Sequence, residues 1–223
     1  MRKINYSKLK RKIIKGFDEW SETYTEDVNP KLSNRGHGYN SLAQNILDFL
    51  RPDKDSIIFE LGVGSGVLGK EIKLLRPDLL IYGFDISEGM LKKSKETEVY
   101  YELIRCDVEN IPIQNNVVNY IYSAFMFHSV LDSTKSLIDI RRIMKDNGRL
   151  IMVDLFRMPM RIPVFSRLSD NVHSMRYEFG AFSNYHRPIE FERKVLDVNF
   201  KVEKQFQIGK TKKYTHFFFG ITK

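Results

Sequence analysis

Three glycines follow a short apolar run near residue 60. The run Ile57–Leu61 contains one acid, Glu60, and leads into Gly62, Gly64 and Gly66, after which a helical pattern begins. Glycine lets a backbone turn sharply and approach a ligand closely, and the start of the next helix offers free N–H groups and the positive end of its dipole. Nucleoside-like ligands bind where such a loop joins a parallel strand to a helix. The spacing therefore predicts a nucleoside site, with a tight turn that binds nothing as the alternative.

Two further carboxylates end or follow the next two apolar runs. Asp85 ends the run Ile81–Asp85, where a carboxylate can accept hydrogen bonds from both ribose hydroxyls or cap the next helix. Asp107 follows the third run and can accept a hydrogen bond from the exocyclic amine of an adenine, unless it is a solvated loop acid. The neighbouring Cys106 is interpreted as a packing residue, because no activating partner is visible in the sequence. These positions predict a site that binds adenosine.

A second interpretation of the glycines is open. Gly64, Gly66 and Gly69 also spell G-x-G-x-x-G, the fingerprint of dinucleotide-binding oxidoreductases. The long helical stretch before the first strand disfavours this NAD hypothesis. The NAD hypothesis also leaves Glu60 and Asp107 without a special role, so we keep this hypothesis only as an alternative.

Candidates for a general base lie further along the chain. His128 follows the fourth apolar run, whose end should border the place where two ligands meet, although a packed histidine fits the same position equally well. A base is needed only if the substrate arrives protonated. No histidine–acid pair can be identified from spacing. The candidate catalytic residues are His128, Tyr177 and His186, with His37, Tyr39 and His173 as further candidates.

Short apolar runs that alternate with helical segments predict the fold. Continuous apolar runs are typical of strands buried on both faces, and alternation with helices indicates parallel pairing through right-handed crossovers. We therefore predict a doubly wound α/β sheet of seven strands, mostly parallel, with an antiparallel C-terminal edge strand and an N-terminal helical lid over residues 1–52. The expected strands are 57–61, 79–84, 99–104, 117–122, 150–153, 200–208 and 214–222, the expected helices are 4–24, 41–50, 67–75, 87–95, 133–144 and 188–198, and a loop at 25–39 and a turn at 146–148 connect them.

Residues 155–187 interrupt this alternation within the domain predicted for residues 53–223. The segment is irregular and rich in methionine, aromatic and arginine side chains. Such an apolar, adaptable lining suits a hydrophobic or aromatic small molecule. We therefore predict that the segment covers a substrate, with capping of the core as the alternative.

The net charge of +8 resides in the leader, residues 1–15. Seven of the 36 Lys and Arg residues and none of the 28 acids fall there, so the rest of the chain is nearly neutral. A nucleic-acid enzyme more often spreads basic groups over its active face, which disfavours nucleic acid as a partner. The leader predicts a helix packed on the domain, with contact of residues 1–17 with an anionic membrane surface as the alternative. Its apolar side is formed by Ile4, Leu9, Ile13, Phe17 and Trp20.

The composition excludes several classes of protein. The 223 residues are 42% hydrophobic and 29% charged, as in ordinary globular domains. The single Cys106 excludes an internal disulfide and a thiolate-only metal cage, and we assign no metal site. No uncharged apolar run reaches the roughly 18 residues of a membrane span, and we see no secretory signal pattern. We therefore predict a cytoplasmic protein.

Four motifs stand in order between residues 57 and 154, namely Glu60-Leu61-Gly62-Val63-Gly64-Ser65-Gly66, Gly83-Phe84-Asp85-Ile86-Ser87-Glu88-Gly89-Met90-Leu91, Cys106-Asp107-Val108-Glu109 with Ile111-Pro112, and Arg141-Arg142-Ile143-Met144-Lys145-Asp146-Asn147-Gly148-Arg149-Leu150. Together they resemble the class I S-adenosylmethionine-dependent methyltransferases, and most of all the ubiquinone- and menaquinone-type small-molecule enzymes (methyltransferase domain type 11). The resemblance implies a Rossmann-like fold and S-adenosylmethionine as the cofactor. Phe17–Trp20 with Tyr24 resembles the helix that covers the cofactor in that family.

The resemblance also implies roles for single residues. The backbone of the glycine loop would hold the aminoacyl end of the cofactor, and Glu60 would orient that loop and the amino group. Asp85 would bind the ribose and Asp107 the adenine amine. The cofactor-binding residues expected in this way are Tyr24, Glu60, Gly62, Gly64, Gly66, Asp85, Ile86, Met90, Asp107, Val108 and Ser123.

The resemblance implies a small-molecule acceptor, and three alternatives stay open. Ser123-Ala124-Phe125-Met126 stands where amino-methylating enzymes carry Asn/Asp-Pro-Pro-Tyr, which disfavours methylation of nucleic-acid or glutamine amino groups. The alternatives are an RNA or protein methyltransferase that docks through the basic N-terminus, an NAD-dependent oxidoreductase, and a non-catalytic domain that binds the cofactor. Fold alone does not decide among them.

Overall fold

Helices pack on both faces of a central sheet in the computed structural model, which describes residues 6–33, 38–157, 186–210 and 214–223. The elements in chain order are α1 (Tyr6–Trp20), α2 (Tyr24–Ser33), α3 (Tyr39–Leu50), β1 (Ile57–Leu61), α4 (Val67–Leu75), β2 (Leu80–Asp85), α5 (Glu88–Lys95), β3 (Tyr100–Arg105), β4 (Val118–Ala124), α6 (Ser133–Ile143), β5 (Met144–Arg157), α7 (Pro188–Asp197), β6 (Lys201–Lys210) and β7 (Tyr214–Thr222), with a 3₁₀ turn at Phe127–Ser129.

The seven strands form one sheet in the order β3-β2-β1-β4-β5-β7-β6. Strand β1 pairs in parallel with β2 on one side and with β4 on the other, so the strand order reverses at β1. Such a switch point opens a crevice at the carboxyl ends of the strands. Strand β7 runs antiparallel to both β5 and β6. These pairings confirm the predicted mostly parallel sheet with an antiparallel C-terminal edge.

Strand β1, in the middle of the parallel part of the sheet, is buried on both faces. In β1, Phe59 and Leu61 enter the apolar cluster that includes α6 and α7, whereas Ile58 enters the cluster that includes α3 and α4. This alternation is the two-residue period of a strand. Because both faces need apolar side chains, β1 has the continuous apolar run that marked it in the sequence.

One predicted loop is a helix. Residues 25–39 were expected to be irregular because of Asn29 and Pro30, but α2 spans Tyr24–Ser33. Two acids in its first turn complement the helix dipole, and one of them, Asp27, accepts a hydrogen bond from the indole of Trp20 at 2.7 Å. These contacts stabilise the helix, although Asn29 and Pro30 favour a loop in the local sequence.

Strand β5 is longer than the predicted strand at 150–153. Val118 pairs with Met144 and Tyr120 pairs with Arg149, so four residues of β5 lie opposite one residue of β4. The predicted turn at 146–148 is therefore an irregularity inside the strand. Residues 155–157, expected to be irregular, continue β5 because they pair with β7.

Most of the predicted substrate cover, 155–187, lies outside the described residues. His37, His173 and Tyr177 also lie outside them, so their predicted roles stay predictions. Within the described ranges, no helix is long and apolar enough to cross a membrane.

Candidate active site

A cleft opens at the carboxyl ends of β1, β2 and β4, and α1 lies across it. Its volume is about 810 Å³ when the open mouth is included. Glu60 lines a smaller adjoining cavity that shares the glycine loop with the cleft. The predicted cofactor residues that line the cleft are Tyr24, Gly62, Gly64, Asp85, Ile86, Met90, Asp107 and Val108.

The loop between β1 and α4 requires glycine at its first position. Gly62 has a φ of 78°, and a Cβ there would lie 2.8 Å from the Cβ of Met126. Its N–H donates to the carbonyl of Phe84 at 2.7 Å, which ties the loop to β2. Gly66 forms the N-cap of α4. The loop therefore brings backbone close to the cleft in a way that larger residues would prevent.

Asp85 is fixed by backbone N–H groups on both sides. Gly64 donates to its Oδ2 at 3.0 Å and Ser87 donates to its Oδ1 at 2.9 Å. The cap of α5 is Ser87, whose Oγ accepts from the N–H of Met90 at 3.1 Å. Desolvation raises the pKa of Asp85 to about 6, although the backbone hydrogen bonds act in the opposite direction. The carboxylate keeps a lone pair that can accept from a ribose hydroxyl.

Glu60 is a buried carboxylate held by two tyrosines. The hydroxyls of Tyr100 and Tyr122 both donate to its Oε2 at 2.8 Å. Burial raises the pKa of Glu60 to about 8; the tyrosine hydrogen bonds oppose this rise, and the charge of Asp85 adds to it. A nearby cation would favour the ionised carboxylate. The ammonium group of an amino acid is therefore a suitable partner for Glu60.

Asp107 belongs to an ionic network with Lys10 and Glu109. Lys10 forms an ion pair with Asp107, and its Nζ lies 2.8 Å from Oε2 of Glu109. The N–H of Glu109 donates to Oδ1 of Asp107 at 3.0 Å. Because Lys10 lies on α1, the network joins that helix to the loop after β3.

The exit of β4 forms an apolar wall of the cleft. Phe125 has a φ of 57°, a left-handed conformation that is uncommon outside glycine, and its N–H donates to the carbonyl of Val153 at 2.7 Å. Phe125 and Met126 both line the cleft. Ser123 donates its hydroxyl to the carbonyl of Leu61 at 2.9 Å and is buried. Its predicted contact with the cofactor stays a prediction.

Ser129 carries an unsatisfied hydroxyl in the same wall. Its Oγ is buried and has no hydrogen-bond partner among the described residues, and the residue lines the cleft. Leaving a buried hydroxyl unpaired costs about 1–3 kcal/mol. A polar ligand atom that contacts Ser129 would remove this cost.

His128 has an acidic partner that the spacing did not reveal. Its Nδ1 lies 2.6 Å from Oδ1 of Asp154, and its backbone N–H donates to Oδ2 of the same residue at 3.1 Å. Both residues are buried, and Ser129, next in sequence to His128, lines the cleft. His186, another candidate base, has its Nε2 3.2 Å from the hydroxyl of Ser133 at the start of α6.

Cys106 also lines the cleft. Desolvation raises its pKa to about 12, and the neighbouring Asp107 adds to the rise. A thiol of this kind is a poor nucleophile at neutral pH, which agrees with its interpretation as a packing residue.

The sequence analysis missed three residues that build the site, Lys10, Asp18 and Asp154. Asp18 accepts from Ser87 Oγ at 2.6 Å and from Gly89 N at 3.0 Å, which ties α1 to the start of α5. These residues and their partners are far apart in the chain, so no local pattern reveals them. Only Asp154 could have been recognised from the sequence, because it directly follows the predicted strand 150–153.

Comparisons with known proteins agree with this geometry. Residues 59–152 match the methyltransferase domain family. A demethylmenaquinone methyltransferase of Thermotoga maritima is 23% identical over 210 residues, which cover 87% of this chain and 90% of the relative. The ubiquinone/menaquinone biosynthesis C-methyltransferase UbiE of Rickettsia felis is 23% identical over 192 residues, covering 82% and 72%. The structure of a SAM-dependent methyltransferase from Aquifex aeolicus has a TM-score of 0.61 at 17% identity, covering 81% of this chain and 89% of that one.

The sheet order, the cleft and these matches define a class I S-adenosylmethionine-dependent methyltransferase. The chain is an S-adenosylmethionine-dependent methyltransferase, and it is similar to methyltransferases of the ubiquinone/menaquinone type. The pattern Gly64, Gly66 and Gly69 is therefore not the fingerprint of an oxidoreductase here. Gly69 instead lets α4 approach the sheet, since a Cβ there would lie 2.8 Å from Oε2 of Glu60.

The polar groups in and beside the cleft fit S-adenosylmethionine. Asp85 keeps acceptor capacity for a ribose hydroxyl, and a cation would help to ionise the buried carboxyl of Glu60, whose pKa is raised by burial. When bound, this cofactor supplies a methyl group on a positively charged sulfur.

Proposed function

We propose that this methyltransferase acts on a small hydrophobic or aromatic acceptor of the quinone-precursor type. One observation carries the proposal: the side of the cleft at the exit of β4 is lined by apolar side chains and by Ser129, whose buried hydroxyl has no hydrogen-bond partner among the described residues. An acceptor with a ring and an oxygen substituent would match such a wall, and the names of the quinone-biosynthesis relatives point the same way. The apolar residues on this side are Ile13, Phe17, Met126, Val130 and Leu131.

We assign the cofactor end of the cleft from the contacts already described. Asp85 accepts hydrogen bonds from the ribose hydroxyls, Asp107 accepts one from the adenine amine, and Glu60 holds the amino group of the methionine part. Tyr24 packs over the glycine loop, since a Cβ at Gly64 would lie 3.6 Å from its ring. The side chains proposed to surround the adenine are Ile86, Met90 and Val108.

His128 is the proposed base when the acceptor arrives protonated. Asp154 fixes the ring through Nδ1 and stabilises the imidazolium that forms when the ring takes up a proton. A water-poor cleft favours the reaction, because charge is dispersed when an anionic acceptor meets a cationic methyl donor. Tyr177 and His186 stay as further candidates.

The acceptor class is tested with methyl-tritiated S-adenosylmethionine and a panel of acceptors. The panel contains a reduced, short-chain demethylmenaquinone, a catechol, an alkylphenol and transfer RNA. We expect label in at least one of the ring compounds and none in the RNA. Ser129→Ala should lower this transfer without changing the affinity for S-adenosylhomocysteine, whereas Ser41→Ala, at a half-buried serine that does not line the cleft, should change neither. Label in the RNA alone would overturn the proposal.

One observation favours the alternative of RNA or protein methylation. Lys8, Arg11 and Lys12 are exposed on α1 and form a cationic surface that an anionic polymer can contact. However, Ile13 and Phe17 of the same helix line the cleft, so α1 narrows the route for a polymer. Changing the three cations to alanine should abolish transfer only under this alternative.

A further inference from the structure

Four exposed cations form a stripe along helix α1. Lys8, Arg11, Lys12 and Lys15 are exposed, and they stand at positions i, i+3, i+4 and i+7, which share one side of a helix. The four residues, called here the cationic stripe, span about 10 Å, because a helix rises about 1.5 Å per residue. All four side chains can therefore contact one flat surface at the same time.

Little negative charge offsets the cationic stripe. The two acids of α1 are Asp18 and Glu19. Oε1 of Glu19 lies 3.5 Å from Nζ of Lys15, and both side chains are largely exposed, so this pair is weak. Asp18 accepts hydrogen bonds from Ser87 and Gly89 of the domain. The outward side of α1 therefore carries a net positive charge, while the chain beyond residue 15 is nearly neutral.

The opposite side of α1 has a different chemistry, because it lines the cleft. Ile13 and Phe17 are apolar cleft residues on this side. Among the described residues that line the cleft, Lys10 is the one cation, and it is paired with two acids of the cleft, Asp107 and Glu109. An anionic polymer that binds the stripe would therefore meet apolar and acidic groups if it entered the cleft.

A lipid bilayer matches both sides of the helix, since its headgroups can be anionic and its interior is apolar. We propose that the cationic stripe docks the enzyme on an anionic membrane surface, with α1 between the bilayer and the cleft. Tyr6, the first residue of α1, is 59% exposed and is of a residue type that favours the membrane interface. Docking shortens the path of an apolar acceptor from the bilayer to the cleft; this link to the acceptor rests on the proposed function, whereas docking itself does not.

The docking is electrostatic and peripheral. The apolar side of α1 faces the domain, so the helix has no apolar face to insert among lipid chains. A Lys or Arg near an anionic membrane raises the partition coefficient about fivefold, and dissolved salt screens this attraction. Binding should therefore require anionic lipid and low salt.

Co-sedimentation of the full chain with sucrose-loaded vesicles tests the docking without any acceptor. Vesicles of phosphatidylcholine and phosphatidylglycerol in a two-to-one ratio should sediment the wild type at low salt. Pure phosphatidylcholine vesicles, or the mixed vesicles at high salt, should leave it in solution. The triple variant Lys8→Ala, Arg11→Ala and Lys12→Ala should have a partition coefficient about a hundredfold lower, because three cations of the stripe are removed.

A second triple variant removes the same charge from the other edge of the sheet. Lys54, Lys145 and Lys201 are exposed and lie just before β1, in the first turn of chain of β5 and at the start of β6. Strand β6 runs in the same direction as β5, so all three residues lie at the amino ends of these strands, away from the cleft. Changing them to alanine should leave the partition coefficient at the wild-type value.

Circular dichroism checks that both triple variants are folded. A wild type that does not sediment with the mixed vesicles at low salt would overturn the docking, and so would equal sedimentation of the two variants. Binding of the wild type to transfer RNA but not to the mixed vesicles would assign the stripe to an anionic polymer instead. Because the assay contains no acceptor, its failure leaves the proposed function untouched, and failure of every ring acceptor leaves the docking untouched.

Discussion

The Nδ1 atom of His128 lies 2.6 Å from Oδ1 of Asp154, although the two residues are 26 positions apart. The exit of β4 carries the histidine and the neighbouring strand β5 carries the acid, so pairing of the two strands brings them together. The second oxygen of Asp154 binds the backbone N–H of His128. The acid therefore fixes both the ring and its attachment to the chain.

His128→Asn should lower kcat for a protonated acceptor by about a hundredfold, the size of a lost general base. The amide can still donate to Asp154, so we expect the melting temperature and the affinity for S-adenosylhomocysteine to stay close to those of the wild type. Initial rates with a ring acceptor and calorimetric titration measure the two quantities. Wild-type turnover in this variant would exclude His128 as the base.

The variant Asp154→Asn tests whether Asp154 positions the ring of His128 for catalysis or only packs against it. The neutral amide no longer stabilises an imidazolium, so the acid limb of the pH–rate profile should move to lower pH. A purely structural role for Asp154 predicts a loss of stability without this movement.

The sheet was predictable because its signal is local. Ile58 and Phe59 each need an apolar environment on their own face of β1, so the buried strand shows as a continuous run. The start of β5 gave no such signal, since residues 145–148 lie opposite a single residue of β4 and have a turn-like composition.

The site was predictable only where its residues follow strand ends. Glu60, Asp85 and Asp107 each stand at such an end, so the topology places them together. The contact between Lys10 and Asp107 spans 97 residues, and the sequence of the basic leader predicted a helix packed on the domain without indicating this ion pair. Long-range pairs of this kind depend on how α1 docks, which no local pattern specifies.

Asp85→Asn should weaken the binding of S-adenosylhomocysteine about tenfold to a hundredfold. Hydrogen bonds to a charged group contribute about 1.5–3 kcal/mol, and the amide offers only one acceptor oxygen. Asp146→Asn, at a side chain that is 90% exposed, is the matched control and should leave the affinity unchanged. Equal affinities for the two variants would remove Asp85 from the cofactor site.

Gly69→Ala should destabilise the protein by about 1–3 kcal/mol, the usual cost of overpacking. The new Cβ would lie 2.7 Å from Cζ of Tyr100 and close to Glu60, so it would push α4 away from the sheet. Gly38→Ala is the control, because a Cβ there meets nothing within 4 Å. Urea unfolding measures both changes, and similar midpoints for the two variants would contradict this account of Gly69.

Binding of S-adenosylhomocysteine should release a proton from Glu60 near neutral pH. With a pKa of about 8, Glu60 is mostly protonated at pH 7, and the ammonium of the ligand favours its ionised form. The affinity should therefore rise with pH up to about 8. Calorimetry in phosphate and in Tris at pH 7.2 gives the number of protons released from the difference in apparent enthalpy.

Glu60→Gln should abolish this proton release and weaken binding, because the amide cannot neutralise the ligand ammonium. The pH dependence of the stability of the free protein provides an independent test of this pKa. The raised pKa keeps Glu60 neutral in the fold while an unfolded chain ionises it, so wild-type stability should fall as the pH rises from about 4.5 to 8. Glu60→Gln should lack this part of the decline. A wild type that binds with no proton release would show that the ligand ammonium lies elsewhere.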